Sequence, residues 1–246
     1  MHRYQILIEY DGTLFVGWQI QKKGRSIQKT VQSALTKLLK QNIVLFSAGR
    51  TDSGVHANEQ SAHFDVKKNI QNINKLIKSL NFFLNNKSIS IINIKKKKNN
   101  FHARYSAKER IYFYIILNRY SASTLNKDRE WHIRKKLDIN LIRKGAKKLI
   151  GTHDFSTFRA SNCSSISPIR TINKIIISKS NNRIKLKFKS KSFLKNQVRS
   201  MVGCLKYLGE KKWNLKKFGN IIINKDRRKV APPAPACGLY LEKIIY

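Results

Sequence analysis

The 246 residues hold 51 lysines and arginines against 13 aspartates and glutamates, a formal charge of +38, with 41% hydrophobic content. Four prolines and eleven glycines exclude a collagen-like or linker-dominated chain, and no apolar run approaches the roughly eighteen residues that span a membrane. Cys163, Cys204 and Cys237 lie far apart with no Cys-x-x-Cys pair, which argues against a disulfide framework or a zinc site.

The charge suits a polyanion, and nucleic acid is the first candidate. Lys, Asn and Ile dominate the chain, however, and their codons are rich in A and T, so compositional drift accounts for part of the excess. Charge therefore supports RNA binding without locating it. The N-terminal residues alternate and then turn, without the apolar block and small-residue cleavage site of a signal peptide. A reducing, cytoplasmic setting is expected.

Tyr4 to Tyr10 has the composition of a strand and ends at the turn signal Asp11-Gly12. Phe15, Val16, Gly17 and Trp18 then read as a loop with aromatics. Ser26 caps a helix running to about Lys40, with Ile27, Val31, Ala34, Leu35, Leu38 and Leu39 at helical spacing. Ile43 to Phe46 reads as a short buried strand and Gln60 to Val66 as the strand that returns. Ile73, Leu76, Ile77 and Leu80 mark a second helix, Ser88 to Ile94 a further strand, and Lys95 to Asn100 a solvated connection.

The second half begins alike. Arg110 to Leu117 predicts a strand, Asp138 to Ile150 a helix, and Thr171 to Ser178 with Arg183 to Phe188 a hairpin across residues 179–182. Helices follow over Phe193 to Leu208 and Leu215 to Ile223, and Leu239 to Ile245 supplies a last strand. The order predicts an α+β fold of two ferredoxin-like or RNA-recognition-like halves, residues 1–100 and 101–246. Together they would form a mostly antiparallel mixed sheet with helices, and the ligand would sit in a cleft between the halves.

One stretch stands apart: Ser47-Ala48-Gly49-Arg50-Thr51-Asp52-Ser53-Gly54-Val55-His56-Ala57. It places a carboxylate at the end of a strand, in a loop whose Gly49 and Gly54 give backbone freedom. An isolated Asp-x-Gly is by default only a turn. The whole stretch resembles the active-site loop of the tRNA pseudouridine synthase A family, whose aspartate in Gly-Arg-Thr-Asp-x-Gly-Val-His is the catalytic nucleophile. Phe101-His102-Ala103-Arg104-Tyr105-Ser106-Ala107 through Tyr114 is similar to the family's second motif, whose first tyrosine, Tyr112 here, lies against the target base; Tyr114, on the same strand face, reads as core. Phe193-Leu194-Lys195-Asn196-Gln197-Val198-Arg199-Ser200-Met201-Val202-Gly203 resembles the third, in which Arg199 pairs with the aspartate. Gly151 to Ala160 is also family-like and reads as structural. Ala231-Pro232-Pro233 with Gly238 to Leu241 matches the C-terminal signature.

The resemblance implies an isomerase that turns uridine into pseudouridine at positions 38, 39 and 40 of the tRNA anticodon arm, as a homodimer and without cofactor or metal. Asp52 is then the catalytic residue, and Tyr112, Arg50 and Arg199 contact the substrate or its site. Arg50 would fill or hold the place of a flipped nucleotide. A non-catalytic RNA-binding protein or RNA chaperone is the alternative, weakened because Tyr4 to Tyr10 lacks the Gly-Phe-Gly-Phe type of pattern. A phosphate-handling enzyme finds neither a phosphate-loop glycine pattern nor an acidic metal cluster.

Overall fold

Alternate residues Tyr4, Ile6, Ile8 and Tyr10 are buried along β1 (His2–Tyr10), the strand on which the first part of the chain is assembled. The computed structural model describes residues 1–246 and divides them into two units, Met1–Lys108 with Tyr240–Tyr246, and Glu109–Leu239. No helix is long and apolar enough to cross a membrane.

In the first unit β1 is followed by α1 (Ile27–Leu39), β2 (Phe46–Ser47), β3 (His56–Val66), α2 (Ile73–Leu84) and β4 (Ile89–Lys97). β1 runs antiparallel to β3, with Ile6 opposite Ala62, and to β4, with Ile6 opposite Ile94. β2 pairs antiparallel with the far end of β3, Phe46 facing His63. Element order and sheet order β4-β1-β3-β2 together make the ferredoxin-like arrangement. Both helices start where a side chain satisfies an otherwise orphaned N–H: Ser26 accepts from Lys29 N and Asn72 from Lys75 N. Each then buries one stripe at a spacing of four, Ile27, Val31 and Leu35 in α1 and Leu76, Leu80 and Leu84 in α2.

Three details depart from the sequence reading. Ile43 to Leu45 forms no strand, and β2 is confined to Phe46–Ser47. Side chains of α1 take a strand partner's place: Thr36 Oγ1 accepts from Ile43 N, Gln32 Oε1 accepts from Leu45 N, and Gln28 Nε2 donates to the Leu45 carbonyl. Lys95–Lys97 is no connection but the end of β4, paired with Gln5, Tyr4 and Arg3 of β1 while Lys95 and Lys96 stay exposed. The last strand, β10 (Leu239–Ile245), belongs from Tyr240 on to the first unit, together with Tyr246, because Tyr240 and Leu241 pair in parallel with His56 and Ala57 at the start of β3.

His63 lies in the core of this unit, its Nδ1 accepting from Ala103 N at 3.1 Å. Burial, then the charge of Arg3 and of His102, lower its pKa to about 4. An unfolded chain binds the proton near pH 6.5, so stability is fully present above that pH and falls as pH drops toward 4. The loss is at most about 3 kcal/mol. His63→Asn, which keeps an acceptor for Ala103, should flatten urea-unfolding stability between pH 4.5 and 6.5; an unchanged slope would show that other groups carry it.

The second unit contains β5 (Glu109–Asn118), β6 (Trp131–Ile133), α3 (Ile139–Lys147), β7 (Gly151–Asp154), β8 (Ile169–Ser180), β9 (Arg183–Ser190), α4 (Gln197–Gly209) and α5 (Leu215–Ile223). β5, β9, β8 and β7 pair antiparallel in that order, and β6 joins β5 in parallel. The hairpin closes over Asn181 and Asn182, with Asn181 at φ 49°, so β8 runs two residues further into the turn than composition predicts, while β9 starts at Arg183 as expected. Strand β5, helix α3, hairpin β8–β9 and helix α4 repeat the order of the first unit. Gly145 lets α3 approach α4: a Cβ there would lie 2.3 Å from Leu208 Cδ2. α4 begins only at Gln197, because Asn196 adopts a left-handed conformation, φ 62°, at the end of a turn that Gln197 N closes on the Leu194 carbonyl.

Candidate active site

Asp52 sits in the connection between β2 and β3, where the chain reverses. Val55 N donates to the Asp52 carbonyl at 3.2 Å, and within this turn Gly54 alone has positive φ, +75°. That is the pattern a type II turn demands, and it explains the glycine two residues after the aspartate. Upstream, Ala48 N donates to the Ser61 carbonyl and Gln60 Nε2 to the Gly49 carbonyl, tying the approach to β3. Asp52 is half-buried, Thr51 is buried and Arg50 is exposed.

A second segment, Asp11 to Trp18, closes over the same turn from β1. Trp18 N donates to the Thr51 carbonyl at 3.0 Å, and the Tyr10 hydroxyl is 2.8 Å from Thr51 Oγ1. The Phe15 carbonyl accepts from Ser53 Oγ at 3.0 Å and Gly54 N at 3.4 Å. Phe15 and Trp18 are buried, and Tyr10 packs on Trp18 at 6.1 Å. Two glycines permit the approach. A Cβ at Gly12 would lie 2.0 Å from the Val55 carbonyl oxygen, and one at Gly17, φ +105°, 2.7 Å from the Thr51 carbonyl oxygen. His56 adds another tie, its Nδ1 accepting from Gly12 N at 3.1 Å. The peptides on both sides of Asp52 are thus fixed, while the residue as a whole is only half-buried. Such a group is positioned by backbone geometry rather than by a flexible arm.

Tyr10, Gly12, Phe15, Gly17 and Trp18 escaped the sequence reading as parts of this site. The available signal was two large aromatics and two glycines packed into a segment otherwise read as loop.

In the second unit Tyr112 lies on β5, on the same face as Arg110 and Tyr114, opposite Phe188 of β9. It is largely buried and meets Phe193 edge to face at 5.3 Å. Tyr114 is fully buried, its hydroxyl donates to the Pro235 carbonyl at 2.8 Å, and burial raises its pKa far above the ordinary tyrosine value. It is a neutral core donor. Arg199 occupies the first turn of α4, where its Nε donates to the Ala234 carbonyl at 2.7 Å and Ala234 N returns a bond to the Arg199 carbonyl. Asn196 Oδ1 accepts from Nη1 at 3.4 Å. One turn on, Gly203 allows the Pro232 carbonyl to lie against the helix, where a Cβ would stand 2.2 Å from its oxygen. The proline-rich stretch therefore fixes Arg199 along α4, the role its stiffness suits.

His153 and Asp154 lie in β7, where Asp154 accepts from Ser156 N and pairs with Lys225 at 3.0 Å, a structural arrangement. No group of three or more His, Cys, Asp or Glu side chains is placed to hold a metal ion.

A profile described as tRNA pseudouridine synthase matches residues 6–106 and 146–246, which include the Asp52 turn and Arg199. A protein named tRNA pseudouridine synthase A from Pelagibacter ubique is 63% identical over 246 residues, all of both chains. Proteins of the same name from Paramagnetospirillum magneticum and Parvibaculum lavamentivorans are 40% and 39% identical, each aligned over the whole of this chain and over 96% and 100% of their own. On these matches, spread over both units, the chain belongs to the tRNA pseudouridine synthase family.

Proposed function

We propose that this isomerase converts uridine to pseudouridine at positions 38, 39 and 40 of the tRNA anticodon stem-loop, with Asp52 as the attacking carboxylate. The observation that supports the reading is the turn itself: a half-buried aspartate whose carbonyl is held by Val55 N within the turn, while Thr51, Ser53 and Gly54 around it are hydrogen-bonded to Trp18 and Phe15 of a second loop. The reaction breaks the N1–C1′ bond, turns the uracil and joins C5 to C1′, while the C5 proton leaves and N1 gains one. Nothing is oxidised or hydrolysed, so an ionised nucleophile or base beside the sugar and a surface to hold the turning base suffice.

Tyr112 and Arg199 serve the same uridine. The Tyr112 ring covers the uracil face, and the Arg199 guanidinium, fixed along α4, keeps the Asp52 carboxylate charged. A uridine within a stem must be extruded first, at a cost of a few kcal/mol. Exposed Arg50, two residues before the nucleophile, fills the space that the base leaves. Basic residues meet phosphates without reading bases, and the protein acts as a cytoplasmic homodimer.

Transcripts of one tRNA carrying a single uridine at 38, 39 or 40, incubated with the purified protein, test the substrate assignment. Pseudouridine should appear in each. Conversion only at uridines outside the anticodon arm would overturn the assignment of position while leaving the chemistry.

A further inference from the structure

Phe46, His102 and Tyr105 form a contiguous surface of rings in the first unit, used neither by Asp52 nor by its braces. Tyr105 is 74% exposed and Phe46 47%. The ring of His102 lies 4.3 Å from Tyr105 and 6.1 Å from Phe46. His63 supports them from within, stacked on Phe46 at 5.1 Å and 4.7 Å from His102. Single exposed aromatics are ordinary on a protein surface; a row of touching ones is not.

The loop that presents Tyr105 is braced along its main chain. His102 N donates to Ser106 Oγ and Ser106 N to the His102 carbonyl, while His102 Nδ1 accepts from Arg104 N at 3.1 Å. Ala103 is fully buried, with its N–H on His63 Nδ1 and its carbonyl accepting from the Tyr246 hydroxyl at 2.9 Å. An exposed ring on a fixed backbone loses little freedom when a partner covers it. Both imidazoles accept through Nδ1, and burial lowers both pKa values, so the surface presents uncharged π faces. A cation stands beside it, the Arg104 guanidinium 5.6 Å from the Tyr105 ring.

We propose that Phe46, His102 and Tyr105 form a stacking platform for an unpaired base of the RNA substrate. The proposal rests on the reading of tRNA as ligand. Every base offers a π face, so such a platform tolerates sequence, and Arg104 is placed to meet the adjoining phosphate. The charge of +38 favours a polyanion over a second copy of this chain or an equally basic protein.

Fluorescence anisotropy with labelled tRNA tests it in the intact protein. Tyr105→Ala and Phe46→Ala should each bind about tenfold more weakly, with an unaltered slope of log K against log salt because no phosphate contact is removed. Tyr105→Trp should keep the affinity, and its tryptophan emission should be quenched by tRNA. Wild-type affinity in Tyr105→Ala, or a tryptophan that tRNA leaves unquenched, overturns the proposal. So does a Tyr105→Ala variant that changes only its oligomeric state, which assigns the rings to a second copy. Wild-type protein that fails to bind tRNA at all would instead refute the ligand itself, so the two failures are distinguishable.

Discussion

Asp52→Ala should lower pseudouridine formation by about four orders of magnitude or more while tRNA affinity stays within about threefold. The asymmetry follows from where Asp52 sits. Its main chain is held by Thr51, Ser53 and Gly54 through bonds to Trp18 and Phe15, none of which needs the carboxylate. The substitution therefore removes the proposed nucleophile and leaves the turn. RNA affinity comes mostly from phosphate contacts of basic residues, to which one acidic side chain adds nothing. Single-turnover rates at saturating tRNA, with affinities from filter binding, separate the two quantities. A parallel fall in both would mean that Asp52 shapes the binding surface rather than the chemistry.

Gly17→Ala should slow turnover about a hundredfold and cost about 2–4 kcal/mol of stability, although residue 17 touches no part of the proposed chemistry. Its φ of +105° is strained for any L side chain, and the new Cβ would meet the Thr51 carbonyl at 2.7 Å and the Asp52 carbonyl carbon at 3.1 Å. One of the two loops must retreat, and a shift near 1 Å at Asp52 is enough for the rate effect if its carboxylate is the attacking group. Gly24→Ala is the control. It shares the positive φ, +88°, but the atoms nearest its Cβ belong to the Val16 side chain rather than to a main-chain carbonyl of the Asp52 turn. It should destabilise comparably, as thermal melts would report, and keep turnover within a few-fold of wild type. Equal slowing of both variants would assign the effect to stability alone.

The fold was legible where a local signal dictated it. Ser26 and Asp138 cap helices because short polar side chains satisfy orphan amides, and α5 and β10 lie where their apolar periodicity puts them. It was not legible where a distant group decided the outcome. Ile43 to Leu45 has the composition of a strand, yet its hydrogen bonds go to Thr36, Gln32 and Gln28, polar residues of a helix that periodicity leaves unassigned. Lysines in β4 read as solvent-facing linker, since their backbone pairing with β1 leaves no trace in composition. The candidate site divides in the same way. Gly-Arg-Thr-Asp-Ser-Gly-Val-His is recognisable as a contiguous stretch, whereas its bracing by Tyr10, Phe15, Gly17 and Trp18 depends on contacts between segments remote in sequence.

The most direct measurement follows the hydrogen that the reaction must expel. Joining C5 to C1′ displaces the C5 hydrogen, so a tRNA transcript labelled with tritium at uridine C5 reports turnover as tritium released to water. The wild-type protein should release it in proportion to the pseudouridine formed, and Asp52→Asn, nearly isosteric and equally able to bind the transcript, should release none above background. Release by Asp52→Asn at a comparable rate would contradict the assignment of the nucleophile. A wild-type protein that binds the transcript and releases nothing would contradict the isomerase reading itself.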